Sequence, residues 1–184
     1  MPARPRRKRY RLGGAERLTT RQPQHYAAAV AGERFKAAVA VYGLLRRGDR
    51  VLLLRRAGSG FHDGELALPA GHVDAGESAL AAIVRELAEE LGVDVRPRDC
   101  RLALTGHAGP ERPGDDTYVD LYFTVDRWAG EPRIGEPDKA VELVWAPVGE
   151  LPADTVGFMA EAIGTIAAGG QDRLRLWNWP DESR

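Results

Sequence analysis

The chain has 184 residues, of which 43% are hydrophobic and 29% charged, and a formal net charge of −1. That length suits one domain with a sizeable core; no apolar run approaches the ~20 residues of a membrane span, and the N-terminus lacks the apolar stretch of a secretory signal. A single cysteine, Cys100, excludes an intramolecular disulfide and points to a reducing cytoplasm.

In chain order, residues 1–33 read as a basic arm. Arg4, Arg6, Arg7, Lys8, Arg9 and Arg11 stand there with no acid among residues 1–11, and the rest of the chain carries 20 basic against 27 acidic residues. Such an arm suits contact with nucleic acid, although a solvated tail is the commoner outcome of this composition. The apolar run Lys36 to Leu45, a turn at Arg46–Asp49 and a return over Val51 to Arg55 predict a β-hairpin. Residues 57–77, rich in glycine and holding Pro69, predict a long functional loop. A helix follows, with Ser78 as N-cap, Gly92 as its stop and an apolar stripe of Leu80, Val84, Leu87 and Leu91.

Arg101 to Thr105 predicts a strand and Gly106 to Asp116 a turn-rich stretch. Tyr118 to Trp128 alternates, with Val119, Leu121, Phe123 and Val125 on one side and Asp120, Tyr122 and Thr124 on the other. Ala140 to Val148 predicts another strand, Thr155 to Ala168 a second helix with Asp154 as its cap, and Arg173 to Trp177 an edge strand. Strands on both sides of one central helix, with a late second helix, imply an α/β/α sandwich around a mixed sheet. The expected organisation is the arm, a folded domain over 34–168 and a C-terminal extension over 169–184.

The helix carries the chemistry. Glu86 and Glu90 are four residues apart and so share a face, with Glu89 beside them. Carboxylates this close repel one another unless a cation lies between them. Oxygen ligands suit Mg²⁺, which typically takes a few carboxylates together with substrate phosphates. An acidic helix face alone is more often a plain solvated surface. The surrounding residues decide otherwise. Gly71, Glu77, Arg85, Glu86, Leu87, Glu89, Glu90, Gly92 and Val93 fill every fixed position of the 23-residue Nudix signature.

The chain therefore resembles the Nudix family over about residues 36–168, and the resemblance implies the Nudix fold and metal-dependent hydrolysis of a nucleoside diphosphate linked to another group. It implies Glu86 and Glu90 as metal ligands, Glu89 as a ligand or water-mediated base, and the carbonyl of Ala70 as a further ligand. The cofactor is Mg²⁺, with Mn²⁺ as a substitute. Arg85 and Glu77 are expected to pair and orient the loop against the helix. RWAGEP (Arg127 to Pro132) is similar to the MutT-type branch, which hydrolyses oxidised purine nucleoside triphosphates, and a nearby acid, Glu136 or its rival Glu142, is expected to reach the metal cluster. Arg56 matches a substrate-contacting arginine. LPAD (Leu151 to Asp154) matches a motif whose last residue, Asn there and Asp154 here, reads the purine edge; ionised Asp only accepts hydrogen bonds. His62, His72 and His107 lack metal-ligand spacing, and His62 is the candidate phosphate contact. Tyr122 and Trp145 are candidates for stacking on a base or for core packing.

The expected activity is cleavage of a nucleoside triphosphate to monophosphate and pyrophosphate. The alternatives are hydrolysis of a nucleotide sugar or ADP-ribose, and a non-catalytic nucleotide sensor, which the complete glutamate set disfavours. The partner is a small nucleotide and not a membrane; homodimers are common in the family.

Overall fold

The computed structural model describes residues 35–179 apart from 111, 113 and 170–172; the basic arm expected over residues 1–33 lies outside them. The elements run β1 (Ala38–Arg47), β2 (Arg50–Arg56), β3 (Leu66–Ala67), β4 (Ala70–His72), α1 (Ala79–Leu91), β5 (Cys100–Ala108), β6 (Tyr118–Val125), β7 (Ala140–Pro147), α2 (Gly157–Ala167) and β8 (Leu174–Trp177). Among the described residues no helix is long and apolar enough to cross a membrane.

β1 organises the sheet. It pairs antiparallel with β4 on one side and parallel with β6 on the other; β6 pairs antiparallel with β5, and β5 parallel with the edge strand β8. The order β4–β1–β6–β5–β8 is thus mixed, as expected. β2 lies between β3 and β7 in an antiparallel set. The predicted hairpin forms only at its turn, where Arg46 faces Val51 and Arg47 faces Arg50. Beyond it the strands splay, because each finds longer partners elsewhere.

One helix covers each face. Ile83, Leu87 and Leu91 of α1 pack with Val41, Leu45, Phe123 and Val125. Met159, Ala162 and Ile163 of α2 pack with Tyr42, Leu44, Leu104 and Tyr122. The alternation along β6 therefore sorts side chains between two covered faces rather than between core and water. Asp120 and Thr124 are buried with the rest.

Four local expectations change. The buried row of α1 is Ile83, Leu87 and Leu91 with Ala82, whereas Leu80 is 40% exposed and Val84 only half-buried. The helix docks over Gly43, where a Cβ would come 2.8 Å from the Leu87 side chain, so the missing side chain fixes which helix face is inside. Within the predicted loop 57–77, the short strands β3 and β4 form because β1 and β2 offer free edges. Gly106 is not a turn residue: β5 runs through it to Ala108, and the Trp177 ring lies where its side chain would be. Finally, α2 begins at Gly157 with Val156 as its cap and no side-chain cap bond; the carboxylate of Asp154 turns to Arg55 instead, at 2.6 Å.

Candidate active site

Helix α1 starts and stops where its chemistry requires. Ser78 accepts a hydrogen bond from the Ala81 N–H at 3.2 Å, and Gly92 closes the helix in the left-handed region at φ 64°. Between them, Glu86 and Glu90 point back toward β4. The Ala70 N–H donates to Glu90 Oε2 at 2.9 Å. Gly71 lies directly beneath Glu86, and a Cβ there would occupy the space of the Glu86 carboxylate. This strand of the signature is glycine because an acid group lies on it. Ala70 keeps an ordinary negative φ, so the residue fits its strand position without strain.

Arg85 ties the loop to the helix. Its Nη2 donates to Glu77 Oε1 at 2.7 Å and to the His72 carbonyl at 3.1 Å, while Nη1 donates to Glu86 Oε1 at 2.7 Å and to Glu89 Oε2 at 3.2 Å. The expected Arg85–Glu77 pair is present. Glu77 also accepts from the Asp74 N–H at 2.9 Å, and its pKa is lowered chiefly by the bond from Arg85. Glu89 lies half in solvent at the rim, held by Arg85.

The chain after β6 returns to the end of α1. Asp94 and Ala129 exchange backbone hydrogen bonds at 3.0 and 2.8 Å; the Arg133 N–H donates to the Leu91 carbonyl at 2.9 Å and the Gly135 N–H to the Glu90 carbonyl at 2.8 Å. Residues 129–135 are therefore a clamp on the helix terminus, satisfying carbonyls that no helical partner reaches. The clamp delivers Glu136, whose charge acts on both Glu86 and Glu90. Glu142, the rival acid, is bound to Arg55 at 2.7 Å, together with Asp154. Lys139 lies beside the cluster, with Nζ 2.8 Å from Glu136 Oε1; sequence reasoning missed it, and its only signal was its place three residues after an acid.

Electrostatics mark this patch. Burial pushes the Glu90 carboxyl up to about 8, opposed by the Ala70 N–H and reinforced by Glu86 and Glu136. Glu86 is also raised by burial, with Arg85 acting against it. Among the described residues no three side chains stand ready as a metal cage, since Glu86 is held by Arg85 and Glu90 by Ala70. The donor set nevertheless fits a hard divalent cation. It is all oxygen and partly desolvated, and a cation would stabilise the Glu90 charge that burial and the neighbouring acids disfavour.

The other candidates lie around the cluster. Arg56 lowers Glu90 by its charge, and its guanidinium donates to the Phe61 carbonyl at 2.8 Å and to Ser59 Oγ at 3.0 Å. His62, at φ 52°, pairs through Nδ1 with Glu65 at 2.9 Å. Trp145 stacks on Trp128 and carries the Arg47 guanidinium 4.7 Å above its ring. Cys100 is a free, buried thiol pushed up to about 11 by burial, and so an inert core residue.

The family model for the NUDIX domain matches residues 34–164. An ADP-ribose pyrophosphatase of Methanocaldococcus jannaschii is 32% identical over 105 residues, spanning 57% of this chain and 60% of that protein. A putative 8-oxo-dGTP diphosphatase 2 of Mycobacterium tuberculosis is 33% identical over 140 residues, covering 73% of this chain and 94% of that one. A crystal structure of a MutT NUDIX hydrolase from Burkholderia pseudomallei aligns with a TM-score of 0.64 at 27% identity, over 70% of this chain and 97% of that one. With the signature helix, the acid cluster and the mixed sheet in place, the chain belongs to the Nudix family and is a MutT-like Nudix hydrolase.

Proposed function

We propose that this chain is a Mg²⁺-dependent pyrophosphohydrolase that converts a nucleoside triphosphate to the monophosphate and pyrophosphate. The observation that carries this reading is the meeting of Glu86, Glu90 and Glu136 against the Ala70–Gly71 strand, with the charge of Arg56 acting on Glu90. In this reading Glu86, Glu90 and the Ala70 carbonyl hold the cation. A divalent cation there supplies charge neutralisation for the phosphoryl oxygens and makes water more acidic. Glu89, at the solvent rim, takes the proton of the attacking water. Arg56 binds phosphate, and the reaction needs little else beyond positioning and electrostatics. Arg85 holds Glu86 in place and is a positioning residue.

Glu90→Gln is isosteric and removes the central charge. It is expected to lower kcat/KM by on the order of a thousand-fold with the fold intact. Full turnover in that variant would refute the assignment.

A second reading takes its support from the ADP-ribose pyrophosphatase relative, which is 32% identical over its aligned part. The products separate the two: a triphosphate gives pyrophosphate, whereas a nucleotide sugar or ADP-ribose gives two phosphorylated organic fragments.

A further inference from the structure

The loop between β2 and β3 is held at both ends and through its middle. At its start the Ala57 N–H donates to the Lys139 carbonyl at 2.8 Å, and Gly58 runs so close to Asp138 that a Cβ would come 2.5 Å from that residue's carbonyl oxygen. The Asp63 carboxylate accepts from the Ser59 N–H at 3.1 Å, the Ser59 hydroxyl at 2.8 Å and the Gly60 N–H at 2.9 Å; these bonds, that from Gly60 foremost, lower its pKa. At the far end the Gly64 N–H donates to the Arg56 carbonyl at 2.8 Å, and the Gly64 carbonyl accepts from the Arg55 guanidinium at 2.7 Å. His62 is held at φ 52°, a conformation uncommon for a residue with a side chain.

What this framework presents is a ring without a place in the core. Phe61 is 51% exposed and packs in neither hydrophobic cluster. Single exposed apolar side chains are ordinary on a protein surface. A segment ordered by so many bonds around one is not, because ordering a loop costs entropy that an exposed ring does not offset. His62 meets the ring edge-on at 4.3 Å, and the Arg56 guanidinium lies 5.6 Å from its centre. Arg56 uses Nε on the Phe61 carbonyl and Nη2 on Ser59 Oγ, so among the described residues its Nη1 has no bonded acceptor. Its charge acts on Glu90, and the residues that anchor the loop, Asp138 and Lys139, follow just after Glu136. The ring thus stands at the border of the carboxylate cluster.

We propose that Phe61 is the platform on which the nucleobase of the substrate stacks, while Arg56 holds the phosphates beside it. The inference rests on the reading of the site as a nucleotide hydrolase and adds to it the residue that selects a nucleotide over a plain polyphosphate. A ribose separates a nucleotide's phosphates from its base, and the guanidinium and the ring stand side by side at 5.6 Å. Phe61 is open to solvent, so a base reaches it without displacing a packed side chain. Stacking takes the face of a base and tolerates any edge pattern, so Phe61 gives affinity for nucleobases as a class. The bonded loop fixes the ring before the ligand arrives, which keeps the cost of ordering it out of binding.

Calorimetry on the full chain with Mg²⁺ tests this. The probes are α,β-methylene analogues of ATP, GTP, CTP, UTP and ADP-ribose, which the proposed reaction cannot cleave, and inorganic tripolyphosphate, which has no base. At least one nucleotide analogue is expected to bind the wild type, and Phe61→Ala to weaken it by roughly ten-fold or more. Phe61→Leu keeps apolar bulk without a π face and is expected to lose most of that affinity, whereas Phe61→Trp stays within about two-fold of the wild type or binds more tightly. Tripolyphosphate is expected to show no difference among the four proteins, and Phe61→Ala to keep its melting temperature, since the ring packs in neither cluster. A wild type that binds no nucleotide analogue, a Phe61→Ala or Phe61→Leu variant that binds as the wild type does, or an equal loss for tripolyphosphate would overturn the proposal. Turnover of the natural nucleotides separates it from the reading beneath it. Hydrolysis with a KM that Phe61→Ala leaves unchanged defeats this inference and keeps the hydrolase, whereas Phe61-dependent binding without hydrolysis of any nucleotide keeps the stack and defeats the proposed reaction.

Discussion

Glu90 and Asp120 are both carboxylates drawn out of water on one sheet, and their surroundings ask for different things. Burial raises each, Glu90 to about 8 and Asp120 to about 6. Glu90 already accepts a backbone N–H, and the charges of Glu86 and Glu136 add to the effect of its burial. Asp120 has no carboxylate against it; its neighbours are tyrosines, and one of its oxygens lacks a partner among the described residues. Repulsion between like charges is relieved by a cation. A lone desolvated acceptor is relieved by a donor. The two environments thus differ in kind: one is a cluster of like charges, the other a single enclosed acid beside tyrosines.

After Glu90→Gln, the largest effect expected from breaking one side alone is at Gly71. A methyl group there displaces the Glu86 carboxylate, and because that carboxylate is the end of a flexible chain, the fold absorbs the change. Gly71→Ala is expected to lower turnover by about a hundred-fold with the melting temperature little altered. A large loss of stability with activity kept per folded molecule would contradict the role given to that contact.

The other side is tested by pH. The Asp120 carboxyl has an ordinary value of 3.8 and is held at about 6 in the fold. The folded state therefore binds the proton more tightly than the unfolded one. This contribution to stability is present below about pH 4 and is lost as pH rises through about 6, amounting to roughly 3 kcal/mol. Asp120→Asn cannot titrate, so its unfolding free energy is expected to be flatter over that window and higher than wild type above it. Parallel profiles for the two proteins, measured by denaturant unfolding from pH 4 to 8, would show that Asp120 is solvated as an ordinary acid.

The carboxylate cluster was legible in the sequence because its residues are close along the chain. A four-residue spacing on a helix fixes Glu86 and Glu90 on one face, and the Arg85–Glu77 pair spans one loop and two helical turns. The arrival of Glu136 was expected from motif likeness, yet what delivers it is the pairing of residues 129–135 with the end of α1, a long-range backbone match that no local pattern encodes. The surroundings of Asp120 were not legible. Asp120 reads as the polar half of an amphipathic strand, and only the docking of α2 and β8 turns that half inward. Gly106 reads as a turn until Trp177 from the far end of the chain lies on it. Helix α2 lost its expected cap for the same kind of reason, a distant arginine outcompeting the local backbone for Asp154.

The smallest expected effect separates two arginines that border the cluster. Arg85 spreads its fork over Glu77, Glu86, Glu89 and the His72 carbonyl, and the bonds it donates to Glu77 and Glu86 raise its pKa further. Arg56 bonds a neighbouring carbonyl and hydroxyl and meets the cluster through its charge. Lysine keeps the charge of either but cannot reproduce a planar fork. Arg85→Lys should therefore release Glu86 from its position, raising the Mg²⁺ concentration for half-maximal rate by about ten-fold while leaving nucleotide KM nearly unchanged at saturating metal. Arg56→Lys should do the reverse, raising nucleotide KM by a few-fold at an unchanged metal requirement, because a phosphate accepts a point charge less well than a fork. Titrating metal and nucleotide separately for both variants decides the matter. The opposite assignment of the two effects would mean that the arginine bound to the helix acids faces the substrate, and that the one beside the aromatic rings holds the acids in place.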